Sequence, residues 1–129
     1  MRRGIVVLVM LVHFVWGQNR LSPTAYNFAK ISIGMGSPVF LEIGSEHCKP
    51  CLEMGEILYN LKQKFPNVKI FYINIDSDRE FLEHLNLMVI PTQIIFDGNG
   101  KEVYRHVGEL SFMQLQKILC KYKTIFKDS

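Results

Sequence analysis

The 129-residue chain lacks several features that would assign it at once to a class of protein. It has only three cysteines, fewer than the disulfide scaffold of a small secreted protein normally carries. No run of lysine and arginine marks a nucleic-acid surface, so we expect no nucleic-acid partner. The N-terminal apolar run has 12 residues, well short of the roughly 20 that a membrane-spanning helix needs. What remains, 48% hydrophobic and 21% charged, is typical of one globular domain.

The N-terminal segment has the pattern of a targeting signal. Two arginines precede the apolar run from Ile5 to Trp16, and the small residue Gly17 follows it. This pattern predicts a secretory signal peptide over residues 1–17, cleaved after Gly17. An uncleaved anchor that tethers the protein to a membrane is the alternative. Both interpretations place the domain, residues 18–129, outside the cytosol, either periplasmic or secreted.

Capping residues and apolar spacing predict the element order α–β–α–β–α–β–β–α. Ser22–Pro23 is typical of a helix start and predicts a short helix to about Ile33. Ser77-x-x-Glu80 has the form of a capping box and predicts a short helix through Leu85. The remaining predictions are strands at Val39–Gly44, Val68–Ile75, Thr92–Phe96 and Glu102–Val107, a long helix from Cys51, and a C-terminal helix after a capping box at Ser111-x-x-Gln114.

These elements predict an α/β fold with a mixed central β-sheet flanked by helices on both faces. The strand–helix–strand unit implies a parallel pair with a right-handed crossover, and the final hairpin adds antiparallel strands. Active sites in such sheets lie at the carboxyl ends of the parallel strands. The Cys48–Lys49–Pro50–Cys51 motif falls at that position, between a strand and the long helix.

The Cys-x-x-Cys motif indicates thiol chemistry. A thiolate attacks disulfides, but a free cysteine with a pKa of about 8.5 is mostly protonated at neutral pH. The unpaired N–H groups and the dipole of a helix N-terminus stabilise negative charge, which favours Cys48 as the nucleophile. Cys51, one turn further on, would attack the mixed disulfide that Cys48 forms. A zinc half-site is the competing interpretation; no second Cys-x-x-Cys or closely spaced histidine pair supplies the other ligands, so we expect no metal.

At this point the sequence resembles the thioredoxin family over nearly all of Leu21 to Tyr122. Four segments carry the resemblance: FLEIGSEHCKPC, YINIDSD, VIPT and HVGELSFMQLQKIL. The resemblance implies a thioredoxin fold and a thiol–disulfide oxidoreductase that needs no cofactor. It also implies that Cys48 is the exposed nucleophile, that Cys51 is the buried resolving thiol, and that Pro91 follows a cis peptide bond and packs beside the pair. Ile90 would offer backbone groups to an extended substrate segment.

Glu42 stands out on physical grounds alone. A carboxylate in the middle of the apolar strand VFLEIG is costly to bury unless it is paired or protonated. Glu42 also matches the family's buried aspartate, which exchanges a proton with the resolving cysteine. Burial would raise its pKa toward the range of a general acid or base. The alternative is a glutamate at a strand edge that faces solvent.

Several positions depart from the family pattern. His47 replaces a tryptophan, and it either favours the Cys48 thiolate when charged or is a solvated loop residue. Lys49 replaces a glycine within the motif, and Tyr72 takes the position of a lysine that often accompanies the buried carboxylate. Glu56 replaces a proline that kinks the long helix. We expect Cys120 to have no catalytic duty.

The sequence as a whole predicts an exported protein-disulfide reductase. Its partners would be disulfide-containing proteins and a dithiol protein that donates electrons, which would be bound to a membrane if the domain lies outside the cytosol. Two alternatives stay open. One is a disulfide oxidase or isomerase, and the other is a non-catalytic thioredoxin-fold module that binds partners or metal.

Overall fold

The computed structural model describes residues 19–122, so the predicted signal segment 1–17 lies outside the described residues. The elements in chain order are α1 (Tyr26–Ile31), β1 (Val39–Gly44), α2 (Lys49–Lys64), β2 (Ile70–Asn74), β3 (Thr92–Phe96), β4 (Glu102–Val107) and α3 (Phe112–Lys121). The strands form one sheet in the order β2-β1-β3-β4. β1 and β2 are parallel, whereas β3 is antiparallel to both β1 and β4. The predicted mixed α/β sheet is confirmed.

The sheet is covered on both faces. β1 lies at its centre and all six of its residues are buried. Phe40 packs toward α2 and α3, whereas its neighbour Leu41 packs toward α1 and the turns of residues 80–86. Successive side chains of a strand point to opposite faces, so one apolar strand supplies both cores. No helix within residues 19–122 is long and apolar enough to cross a membrane.

The predicted helix start at Ser22–Pro23 is wrong. α1 begins at Tyr26, and its N-cap, Ala25, makes no side-chain capping bond. The segment before it lies along β2, because Pro23 forms a parallel bridge with Tyr72 and the Thr24 N–H donates to the Tyr72 carbonyl at 2.7 Å. The backbone groups around Pro23 are therefore engaged by the edge strand of the sheet and cannot begin a helix.

The predicted helix from Ser77 to Leu85 is also wrong, since residues 80–86 form turns. The Ser77 hydroxyl donates to the Asn74 carbonyl at 3.3 Å instead of accepting a capping bond. The carboxylate of Asp78 accepts the Tyr26 N–H at 2.6 Å, which ties the segment to the start of α1. The observed element order is thus α–β–α–β–β–β–α.

The C-terminal capping box is confirmed. Ser111 is the N-cap of α3, its hydroxyl accepts the Gln114 N–H at 3.2 Å, and the Gln114 side chain accepts the Ser111 N–H at 2.9 Å. Leu110 and Leu115, on either side of the cap, are both buried in the core. The Leu110 N–H also lies 3.3 Å from the Met54 sulfur on α2, which joins the segment directly before α3 to α2.

Candidate active site

The Cys48–Cys51 pair lies where β1 ends and α2 begins. The two residues form a disulfide with their Cα atoms 5.2 Å apart. Cys48 is the N-cap of α2, and its Sγ accepts the Cys51 N–H at 3.3 Å. Pro50 occupies the first turn, where it has no N–H to leave unpaired. Cys48 is half-buried and Cys51 is buried, so a substrate reaches Cys48 first.

The loop before the pair is held by Asp76, which follows β2. Its carboxylate accepts the Ser45 hydroxyl at 2.6 Å and the Glu46 N–H at 3.3 Å. The hydrogen bond from Ser45 is the main reason that the pKa of Asp76 is lowered. The ends of the two parallel strands are thus joined. Sequence reasoning missed this role, although its signal was an aspartate directly after a strand.

His47 lies on the surface of this loop. Its side chain is 87% exposed, and its Nε2 is 4.0 Å from Asp76 Oδ2. Its backbone N–H donates to the Ser45 hydroxyl at 3.1 Å. The imidazole, one residue before Cys48, is therefore exposed to solvent and lies next to the Asp76 carboxylate.

Gly44 is a second residue that the sequence reasoning missed. A Cβ atom there would lie 2.9 Å from the Cys51 Cβ, 3.1 Å from its Sγ and 3.1 Å from the Tyr72 ring. A side chain at this position would have to displace the buried sulfur. The last residue of β1 must therefore be a glycine for Cys51 to pack directly on the sheet.

Glu42 is fully buried, which excludes the solvent-facing alternative. It lies two residues before Gly44 on the same face of β1, the face on which Cys51 packs. Its Oε1 accepts a hydrogen bond from Gln93 Nε2 at 3.1 Å, whereas its Oε2 has no partner among the described residues. Burial raises the pKa of Glu42 well above its ordinary value of 4.5, and the Gln93 bond opposes this only in part. The carboxyl group therefore keeps its proton to a higher pH than a solvated glutamate does.

Tyr72 pairs with Glu42 across the parallel strands. Burial, reinforced by the neighbouring Glu42 carboxyl, raises the pKa of Tyr72 to about 12. The phenol is consequently neutral throughout the physiological range. It also borders a cavity of about 200 Å³ between residues 20–23 and α2, which reaches Cys51 and is lined in part by Arg20.

Ile90 and Pro91 lie at the same end of the sheet as the cysteines. The Ile90–Pro91 peptide bond is cis. Thr92, the next residue, pairs with Ile43 near the carboxyl end of β1, so the loop before β3 approaches the start of α2. The Pro91 carbonyl accepts the Gly108 N–H at 2.9 Å. Two residues before Ile90, the side chain of Met88 is 93% exposed.

The other positions singled out from the sequence lie away from the dithiol. Glu56 lies within the continuous helix α2, and its Oε1 forms an ion pair with Arg20 Nε at 3.7 Å. Cys120 is a half-buried free cysteine on α3. In residues 19–122, no three histidine, cysteine, aspartate or glutamate side chains are grouped so that they could hold a metal ion.

Comparison with known proteins gives one consistent family. A model of the thioredoxin-like domain matches residues 28–123. The thioredoxin of Chlamydia pneumoniae is 40% identical over 70 residues, a match that covers 54% of this chain and 68% of that protein. The thiol:disulfide interchange protein DsbD of Tatumella citrea is 25% identical over 81 residues, covering 57% of this chain but only 14% of that much longer protein.

Solved structures show the same fold. Chloroplastic thioredoxin z superposes with a TM-score of 0.70 at 17% identity, covering 82% of this chain and 96% of that chain. A mutant thioredoxin from Halobacterium salinarum gives a TM-score of 0.70 at 16% identity, with coverages of 86% and 96%. Since the domain model spans β1, the Cys48–Cys51 disulfide and the Ile90–Pro91 bond, the chain belongs to the thioredoxin-like family.

Proposed function

We propose that this protein reduces disulfide bonds in other proteins by exchange at Cys48 and Cys51. A thioredoxin-like domain with a Cys-x-x-Cys disulfide supports thiol–disulfide oxidoreductase chemistry in general. The observation that carries the proposal is the position of Cys48 as the N-cap of α2, half-exposed and bonded to a buried Cys51. A thiolate at that point is stabilised by the helix N-terminus and is open to a substrate.

The reaction proceeds in two exchanges. The Cys48 thiolate attacks one sulfur of the substrate disulfide, the substrate S–S bond breaks, and the departing sulfur leaves as a thiolate that takes up a proton. Cys51, once deprotonated, attacks Cys48 Sγ and releases the second substrate thiolate. The Cys48–Cys51 disulfide is then complete, and two electrons have passed to the substrate.

In this scheme Glu42 is the proton acceptor for Cys51. Cys51 is buried, so bulk water is poorly placed to take its proton. The Glu42 carboxyl lies on the same face of β1, and its Oε2 is the oxygen left without a partner among the described residues. Burial raises the pKa of Glu42, which makes its ionised form a stronger proton acceptor than a solvated carboxylate.

Substrate binding is assigned to the loop before β3 and to the residue before Cys48. An extended substrate segment would pair with backbone groups at Ile90, ahead of Pro91, as an added strand. Met88 and Val89 extend this loop with exposed apolar side chains. The His47 side chain, directly before Cys48 in the chain, is exposed to solvent, where its imidazole would meet polar groups of the substrate.

We further propose that the protein works outside the cytosol. The signal predicted over residues 1–17 would direct the domain, residues 18–129, to the periplasm or the exterior, or would hold it at a membrane. Electrons would then come from a second dithiol protein, and the likeness to part of DsbD supports exchange with such a protein. Oxidation or isomerisation would use the same two cysteines, so the reduction potential decides the direction.

The test is reduction of a disulfide-containing protein by the purified, pre-reduced chain. Cys48→Ser should abolish activity, and Cys51→Ser should trap a mixed disulfide at Cys48 that is visible by mass spectrometry. Cys120→Ser is the matched control and should retain activity. We expect a potential, measured against glutathione, closer to about −270 mV than to about −120 mV. Full activity in Cys48→Ser would refute the mechanism, and a potential near the upper value would refute the direction.

A further inference from the structure

Three side chains on neighbouring strands form a hydrogen-bonded chain from the surface to the buried carboxyl group. Glu42 on β1 pairs with Gln93 on β3, which pairs with His106 on β4. Gln93 Nε2 donates to Glu42 Oε1 at 3.1 Å, and Gln93 Oε1 lies 2.7 Å from His106 Nδ1. Glu42 and Gln93 are completely buried, whereas His106 is half-buried. The chain thus connects solvent to the interior beneath Cys51.

A fourth group fixes the orientation of the amide. Gln93 Nε2 also donates to the Gly108 carbonyl at 3.0 Å. A carbonyl only accepts, so the NH₂ end of the amide must face both Gly108 and Glu42, and Oε1 must face His106. Oε1 in turn only accepts, so His106 Nδ1 must carry the proton that is shared between them. The geometry therefore selects one tautomer of the neutral imidazole, with its proton on Nδ1.

We propose that His106, acting through Gln93, is a positioning residue for Glu42 that holds one carboxyl oxygen in place and leaves the other free to exchange a proton with Cys51. The part that concerns Cys51 rests on the proposed function. The Gln93 bond opposes the rise in the pKa of Glu42 that burial causes, so the histidine that orients Gln93 also influences the pH at which the carboxyl group gives up its proton.

Among the described residues, the other groups that face Glu42 do not donate a hydrogen bond to it. From β2 the facing group is Tyr72, a phenol that is neutral because its pKa is about 12. From α2 it is Cys51, which is uncharged in the disulfide. Glu53 on α2 and Glu109 before α3 form a separate pair, in which a hydrogen bond from Glu53 raises the pKa of Glu109 and Lys49 opposes this rise. Among the described residues, His106 is the titratable side chain that is linked to Glu42 through hydrogen bonds.

The first test is the titration of Glu42 in the oxidised full chain, followed by the ¹³C chemical shift of its carboxyl carbon. His106→Ala should move the midpoint to higher pH, because Gln93 Oε1 loses its donor and the amide whose bond lowers the pKa of Glu42 is no longer held in place. His84→Ala is the matched control, since His84 is exposed on the turns between β2 and β3 and should leave the midpoint unchanged. Identical midpoints in wild type and His106→Ala would overturn the proposal.

The second test needs no substitution. The ¹⁵N chemical shifts of the neutral His106 ring should report a proton on Nδ1. A neutral ring protonated only on Nε2 would overturn the proposal, because Nδ1 would then have no hydrogen to share with Gln93. This measurement stays decisive if His106→Ala fails to fold.

The third readout separates this inference from the proposed function. The pH profile of Cys51-dependent release of a mixed disulfide should shift upward in His106→Ala and should not shift in His84→Ala. If Glu42 responds to His106 but the release profile does not, the link to Cys51 is refuted. If the wild-type chain performs no exchange, the proposed function fails, while the two NMR measurements still decide whether the hydrogen-bonded chain exists.

Discussion

At the scale of single residues, the chemistry of this site depends on how completely Glu42 and Cys51 are buried. Neither side chain touches bulk solvent, and both lie on the face of β1 that α2 covers. An ionised carboxylate in such a place loses its hydration, and only Gln93 donates to it among the described residues. Glu42 is therefore a costly residue for the fold, and its proposed catalytic role gives a reason for its presence.

The first prediction concerns Glu42 and pH. Because burial raises its pKa above 4.5, the folded chain retains a proton that the unfolded chain releases. Its stabilising contribution is complete below about pH 4.5 and is lost as the pH rises through the folded-state pKa. Glu42→Gln does not titrate, so its free energy of unfolding relative to wild type should increase as the pH rises from 5 to 8. Urea unfolding of the oxidised proteins measures this, and parallel pH curves would contradict it.

The second prediction concerns Gly44. An alanine there places a methyl group 2.9 Å from the Cys51 Cβ, so either the strand or the sulfur must shift. Gly44→Ala should lower the free energy of unfolding by about 1 to 3 kcal/mol and slow closure of the disulfide. Gly55→Ala is the matched control, because its new Cβ meets only the Arg20 side chain at 3.5 Å or more, and alanine favours the helix. Equal effects of the two substitutions on disulfide closure would argue against the close packing of Cys51 on β1.

At the scale of elements, the sequence was informative where a signal and its partner lie close together in the chain. Ser111 and Gln114 are three residues apart and cap α3 as their spacing predicts. The same type of signal failed at Ser22 and Ser77, because β2 engages the backbone beside Ser22 and the Asn74 carbonyl takes the Ser77 hydroxyl. These competing contacts depend on the tertiary structure, which local spacing does not describe.

The candidate site follows the same rule. The sequence predicts that Cys48 and Cys51 lie close together, because they are three positions apart at the start of a helix and this spacing determines the distance between them. The bond between Glu42 and Gln93 joins residues 51 positions apart, and it exists only because β1 and β3 pair in one register. A glutamine among the apolar residues of β3 was a signal in the sequence, but its partner was not predictable.

A third prediction tests the capping box of α3. This capping box follows directly after the segment that contains Gly108. Ser111→Ala removes the acceptor of the Gln114 N–H and should lower the free energy of unfolding by about 1 kcal/mol. Met113→Ala, in the first turn of the same helix and 65% exposed, should change it by less than about 0.5 kcal/mol. Urea denaturation of both variants checks the difference, and equal stabilities would show that the capping box contributes nothing.

At the scale of the whole molecule, our account gives the described domain and the N-terminal segment separate functions. The described part of the domain, residues 19–122, contains every group assigned to thiol exchange. The segment 1–17 would determine only where that exchange takes place. The direction of electron flow in turn depends on the partner met in that compartment, since the same dithiol both donates and accepts electrons.

The fourth prediction follows from this division. When the full chain is expressed in a bacterial host, mass spectrometry of the extracytoplasmic fraction should find a product that begins at Gln18. An intact chain in the membrane fraction would identify the segment as an anchor instead of a cleaved signal. An intact chain confined to the cytosolic fraction would contradict both.

The central claim is that the start of α2 holds the sulfur of Cys48 as a thiolate at neutral pH. The most direct measurement is the alkylation rate of reduced Cys48 across a pH series, in a Cys120→Ser background that leaves it as the accessible thiol. Our account predicts that the rate reaches half its maximum well below about pH 8.5, the value for free cysteine. A half-maximal rate at about pH 8.5 would show that the helix N-terminus does not activate this sulfur, and would contradict the account.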